Sequence, residues 1–136
     1  MLNERETREI SIEVKDIIDD ELRLHPDVKT VGDKIANIWG ILGLTKEIEL
    51  AQILGVSESN IPMLFDENKD IGKPLENEID QLFAISAILG KKVEDLSRRE
   101  KFLREGNSLL KNQSPMQYLK RGRATEVLLL VYGQTG

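Results

Sequence analysis

The stretch LTKEIELAQILGVSESNIPMLFDE, residues 44–67, decides the fold. Ile48, Leu50, Ala51, Ile53 and Leu54 give residues 46–54 a broad apolar face at helical spacing. Gly55 suits the left-handed turn that stops such a helix, and Ser57 or Asn60 can cap a second one just beyond it. Two short helices about a glycine turn read as a helix-turn-helix. In that motif the second helix enters the DNA major groove while nearby cations hold the phosphates. This segment carries Lys46 alone against Glu47, Glu49, Glu58, Asp66 and Glu67. A net negative segment opposes the neutralisation of phosphates on which DNA affinity depends.

Pro62 adds a backbone constraint. With Ser57 as cap it falls inside the helix, where its ring and missing N–H disturb the first internal hydrogen bond. With Asn60 as cap it lies in the tolerant first turn and the helix starts late. Either way the helix is shortened or bent at the end that would read bases. The expectation is a degenerate helix-turn-helix used for packing or for protein contacts.

Outward from this centre, apolar residues keep helical spacing. Ile10, Val14, Ile17, Ile18 and Leu22 form one stripe, although residues 10–14 also alternate and leave a short strand open. His25-Pro26-Asp27 breaks the pattern, and His25 is expected to be exposed in that turn. Val31, Ile35, Ile38, Trp39 and Leu42 mark a helix opened by a Thr30/Asp33 capping pair and closed by Gly43. Trp39 reads as a core or dimer anchor, and consecutive Met63, Leu64 and Phe65 cannot all face one core. A longer helix opens at Gly72-Lys73-Pro74 and is expected to close at Gly90. The next carries Val93, Leu96, Phe102 and Leu103 and is expected to close at Gly106. A loop, NSLLKNQ, leads into Ser114-Pro115-Met116-Gln117, an N-cap, a first-turn proline and the third residue of a capping box. Gly122 ends that short helix, and a last helix runs over residues 124–132. The apolar block VLLLVY, residues 127–132, must be core or covered by a partner. The reading is all-α, divided into an N-terminal arm or helix (1–28), the degenerate helix-turn-helix (29–72) and a C-terminal helical unit (73–136).

A chain of 136 residues is long enough to bury about two-thirds of its unfolded surface without staples. Cysteine is absent, which removes disulfides, thiolate catalysis and cysteine-type zinc sites. That absence fits a reducing cytoplasm, the expected location. The charged opening MLNERETREI lacks the apolar core of a secretory signal, and no apolar run is long enough to span a bilayer. One histidine without cysteine offers no transition-metal set, and Asp19-Asp20-Glu21 reads as a solvated charge run. No nucleophile elbow, Cys/His pair or phosphate-cradling glycine loop appears, so no enzyme activity and no cofactor are expected.

The net charge of −5 conceals a split. Residues 1–90 hold 9 Lys/Arg and 19 Asp/Glu, whereas residues 91–123 hold 10 Lys/Arg and 4 Asp/Glu. The basic part can be a solvated face, or a surface for an acidic partner or nucleic acid.

The tail carries the most specific pattern. Residues 102–110, FLREGNSLL, followed by Ser114-Pro115-Met116-Gln117-Tyr118-Leu119 and Gly122, resemble the toxin-binding domain of Xre/MbcA/ParS-type antitoxins. That family has an aromatic-Leu pair, an Asn-Pro-x-Leu-x-Gly-Gly turn, a Ser/Thr-Pro-Leu-x-x-Leu helix and a glycine. Upstream lies an Xre-like helix-turn-helix preceded by a Trp-x-x-Leu-Gly-Leu element, matched here by Trp39-Gly40-Ile41-Leu42-Gly43-Leu44. The resemblance covers about residues 30–132. Ser108 stands in place of the usual proline, and Lys111-Asn112 where glycines are common.

The resemblance implies an Xre-like helix-turn-helix bundle followed by a small helical toxin-binding domain. It also implies a homodimer that neutralises a cognate RES-domain toxin, an NAD-consuming enzyme, by covering its active site. Toxin-binding residues would be Ser114, Pro115, Tyr118, Lys120, Arg121 and Arg123, with arginines as the better anchors for carboxylates. The alternative is a DNA-binding transcriptional regulator or autoregulator using Lys91, Lys92, Arg98, Arg99 and Lys101 on a basic helix. No membrane partner is expected.

Overall fold

The apolar run within residues 79–89 becomes the axis of the molecule. In the computed structural model, which describes the backbone of residues 4–133 and side chains from residue 13 onward, helix α4 (Lys73–Lys92) is buried at every position from 81 to 89. A helix apolar on all sides needs neighbours on all sides. It has them in α1 (Glu4–Leu24), α2 (Val31–Leu42) and α7 (Ala124–Gly133). Around this core lie α3 (Glu47–Leu54), α5 (Leu96–Arg104) and α6 (Pro115–Lys120), with three 3₁₀ turns at Glu58–Asn60, Pro62–Phe65 and Ser108–Leu110. The described residues contain no strand. The backbone from Glu4 is helical, which resolves the choice left open at residues 10–14.

Local signals fix most boundaries. Thr30 Oγ1 accepts from the Asp33 N–H at 3.0 Å while Asp33 accepts from the Thr30 and Lys29 N–H groups, a reciprocal cap at the start of α2. These backbone donors hold the Asp33 carboxyl below its ordinary range. Gly43 and Gly55 end α2 and α3 in the left-handed region. Between helices, Lys34 of α2 pairs with Asp80 of α4 at 2.6 Å, and Gln81 donates to Thr125 at 2.9 Å. The apolar block 127–132 resolves as core: Val127, Leu128, Leu130 and Val131 are buried, with Tyr132 exposed at its end.

Three readings are corrected. Gly90 does not end α4, which runs on to Lys92; its missing side chain lets α2 come close, since a Cβ there would stand 2.9 Å from Ile41 Cδ1. Gly106 does not close α5, which stops at Arg104, and Val93 lies outside that helix because Asp95 caps it by accepting from the Ser97 N–H. His25 is half-buried rather than exposed, its ring edge-on to Phe83 with centroids 5.4 Å apart.

The second helix of the helix-turn-helix is reduced further than its sequence implies. Residues 58–65 form two successive 3₁₀ turns joined at Ile61, and neither Ser57 nor Ile61 caps a turn with its side chain. Pro62 stands at the first position of the second turn, where no N–H is needed. Leu64 is buried, Met63 partly so, and Phe65 faces solvent.

Candidate functional site

The segment between α5 and α6 is a tight turn closed by its own hydrogen bonds. The Asn107 N–H donates to Gln113 O at 3.0 Å, forming an isolated antiparallel bridge. Asn107 Oδ1 accepts from the Leu109 N–H, and Asn107 O accepts from both Leu110 and Asn112. Closing this loop drives Lys111 (φ 57°) and Asn112 (φ 66°) into the left-handed region, where a side chain is strained and glycine is favoured. The turn also explains Gly106. A Cβ there would lie 2.4 Å from the Asn112 carbonyl oxygen, a backbone atom with little room to move.

Directly after the turn, Ser114 begins α6. Its Oγ accepts from the Gln117 N–H at 3.1 Å, and Gln117 Oε1 accepts from the Ser114 N–H at 2.8 Å. Pro115 occupies the first turn, and Gly122 ends the helix with φ 75°. α6 therefore has a fixed start and a sharp stop despite its six residues.

The expected toxin-binding residues divide by role. Ser114, Pro115 and Tyr118 are buried, so they build the unit rather than face a partner. The three cations reach the surface on different partners. Lys120 Nζ is 3.0 Å from Glu49 on α3, and Arg121 donates to Gln113 Oε1 at 2.7 Å. The Arg123 guanidinium lies 5.6 Å over the Tyr118 ring and reaches Glu126 only at 3.7 Å.

Glu49 is also gripped by Arg104, whose Nη1 and Nη2 meet its two oxygens at 2.8 and 2.9 Å. The Arg104 fork, aided by Lys120, lowers the Glu49 carboxyl from 4.5 to about 2 against the opposing effect of burial. The same pair raises the Arg104 guanidinium above its ordinary value. One carboxylate thus ties α3 to both α5 and α6.

The basic residues proposed for DNA are dispersed. Arg99 is buried and spends its donors on the carbonyls of Ile41, Val93 and Glu94 at 3.2, 2.9 and 2.9 Å. Lys92 Nζ donates to Val131 O at 2.7 Å and Tyr132 O at 3.0 Å, at the C-terminal end of α7. Lys91, Arg98 and Lys101 are exposed, among Glu94, Asp95 and Glu100 of the same region.

Two surface clefts adjoin α6. One, of ≈ 500 Å³, is floored by Leu110, Tyr118, Leu129 and Leu130 and rimmed by Leu109, Lys111, Arg123 and Glu126. Leu109 is 69% exposed, an apolar side chain at the mouth of an apolar cleft. The other, of ≈ 610 Å³, lies between the end of α3 and the end of α6 and includes Glu78, whose carboxyl burial pushes up. Sequence reading singled out the leucines of α7 as core or covered by a partner, but not Leu109 as an exposed residue. Leu109-Leu110 in a loop was the available signal, since adjacent apolar residues in a tight turn rarely both point inward. Among the described residues, no group of three His, Cys, Asp or Glu side chains is placed to hold a metal ion, and no helix is long and apolar enough to cross a membrane.

No protein-family model, curated protein or solved structure significantly matches this chain.

Proposed function

We propose that this chain is an antitoxin that binds a RES-domain, NAD-consuming toxin through its C-terminal unit and covers the toxin's active-site entrance. The observation that carries this reading is the turn at residues 107–113. It puts Asn112, which the Asn-Pro-x-Leu-x-Gly-Gly spacing counted from Asn107 sets against the first of the family's glycines, into the backbone conformation that glycine favours, with Lys111 beside it in the same conformation, and it leads straight into the Ser-Pro capping box. A turn that keeps glycine geometry without glycine supports a resemblance of shape as well as of letters. The absence of an α-helix at residues 58–65 adds to it, because the groove-reading element of a DNA regulator is reduced to 3₁₀ turns.

On this reading residues 29–72 form an Xre-like scaffold and residues 73–136 the toxin-binding domain. The chain works as a cytoplasmic homodimer, with no catalytic activity and no cofactor of its own. The test is a native pull-down at moderate salt with identification of the eluate. A RES-domain protein retained stoichiometrically, which depletes NAD only once released, would support the proposal. Nucleic acid without such a protein would overturn it in favour of a regulator acting through Lys91, Arg98 and Lys101.

A further inference from the structure

We infer that the cleft between the turn at residues 107–113 and α7 receives a segment of the toxin that carries an apolar side chain beside a carboxylate. This rests on the antitoxin reading and names the surface and the chemistry it selects.

Three observations support it. The cleft is open, and its floor is made of Leu110, Tyr118, Leu129 and Leu130; Leu110 and Leu130 are already buried, so an apolar side chain entering it removes from water the surface of Leu129 and of Leu109 at the mouth. At its mouth Leu109 is 69% exposed, although the turn that carries it is closed by hydrogen bonds from the N–H groups of Asn107, Leu109, Leu110, Asn112 and Gln113, which hold its backbone there. A held apolar residue beside an apolar cleft is the form of an interface anchor rather than of a mobile loop tip.

The rim supplies the charge preference. Lys111 and Arg123 flank the cleft against one carboxylate, Glu126. The Tyr118 ring pre-positions Arg123, whose guanidinium forms no hydrogen bond among the described residues and only a long, half-exposed contact with Glu126. Its planar fork is therefore free to take an incoming carboxylate with two parallel bonds, while Glu126 opposes a cationic partner. The buried Ser114, Pro115 and Tyr118 then act from behind the surface by fixing Arg123 and the turn.

The experiment uses the full chain and the RES-domain toxin recovered with it. A photo-activated cross-linker replaces Leu109, or, as a control, Ile48, which is exposed on α3. In parallel, toxin affinity is measured for Leu109→Asp, Arg123→Glu and Ile48→Asp, with circular dichroism confirming that each folds. The expected result is a cross-link from position 109 to a toxin peptide containing an apolar residue next to Asp or Glu. Affinity should fall by on the order of tenfold or more for Leu109→Asp and Arg123→Glu, and little for Ile48→Asp. Reversing the charge of the toxin carboxylate should partly rescue Arg123→Glu.

Toxin that binds the first two variants within about twofold of the parent chain, a change too small for an anchor, and cross-links from position 48 alone, would overturn the cleft while leaving the antitoxin reading in place. A parent chain that retains no RES-domain toxin, and cross-links from position 109 only to a second copy of itself, would overturn both.

Discussion

Glu49 and Arg104 lie 55 positions apart and meet in a two-pronged ion pair, with N···O distances of 2.8 and 2.9 Å. Lys120 adds a third contact to the same carboxylate at 3.0 Å. Because α3 belongs to the helix-turn-helix segment and α5 and α6 to the tail, this carboxylate joins the two parts of the chain by charge as well as by packing.

The pH dependence of that joint has a definite sign. The folded Glu49 carboxyl sits near 2 and the unfolded one near 4.5, so the folded state favours the ionised form. Its stabilisation is fully present above about pH 5, declines as pH falls from there toward 2, and is gone below. Glu49→Gln should therefore lower stability at neutral pH and lose its effect near pH 2. With Arg104 half-exposed, solvent screens the pair, and a cost of about 1–2 kcal/mol at pH 7 is expected. Urea unfolding of both proteins at pH 7, 4 and 2 checks this; a difference independent of pH would contradict it.

The turn at residues 107–113 makes an ordering of substitutions testable. Gly106→Ala sets a Cβ against a backbone oxygen, and relieving that clash must move the turn. A loss of about 2–3 kcal/mol follows from forced backbone shifts. Gly55→Ala meets no atom within 4 Å and bears only the strain of φ +70°, about 1 kcal/mol. Lys111→Gly removes such strain and should raise the melting temperature, more than Asn112→Gly does, because asparagine tolerates the left-handed region better than lysine. Equal thermal shifts for Gly106→Ala and Gly55→Ala would refute the close approach.

Helix existence was readable because it depends on neighbours three and four residues away. The stripe on α2, the Thr30/Asp33 and Ser114/Gln117 capping boxes and the stops at Gly43, Gly55 and Gly122 are all local chemistry. What misled was any residue whose role is set by distant contacts. Gly90 and Gly106 read as helix stops, yet one accommodates Ile41 and the other the Asn112 carbonyl. At the candidate site, Ser114, Pro115 and Tyr118 were readable as a motif but not as buried, since burial depends on α7 folding back. The pairing of Lys120 with Glu49, 71 residues earlier, has no local signature at all.

Pro62 offers a direct test of why the second helix is missing. Residues 58–65 contain no glycine, and Met63, Leu64 and Phe65 are compatible with a helix, so the proline ring and its absent N–H are the main obstacle. Pro62→Ala should convert the two 3₁₀ turns into a short α-helix and raise the helical circular-dichroism signal slightly. It should not create DNA affinity, because residues 44–67 still hold five carboxylates and one lysine. A titration with duplex DNA at low salt decides the second point; tight, salt-sensitive binding by the variant alone would show that helix geometry, not charge, was the barrier.

Neighbouring arginines on α5 separate structural from surface roles. Arg99 is buried and satisfies three carbonyl oxygens, one from α2 and two from the segment leading into α5. Arg99→Met keeps the apolar stem but leaves those oxygens without their donors, a loss of about 2–4 kcal/mol. Arg99→Lys should recover only part of it, since one ammonium cannot reproduce a planar fork that reaches carbonyls on two sides. Arg98, exposed one residue earlier, should tolerate methionine within about 0.5 kcal/mol. Denaturant midpoints for the three variants provide the check. A midpoint loss for Arg98→Met as large as for Arg99→Met would mean that the basic face of α5 is held by contacts other than these carbonyls.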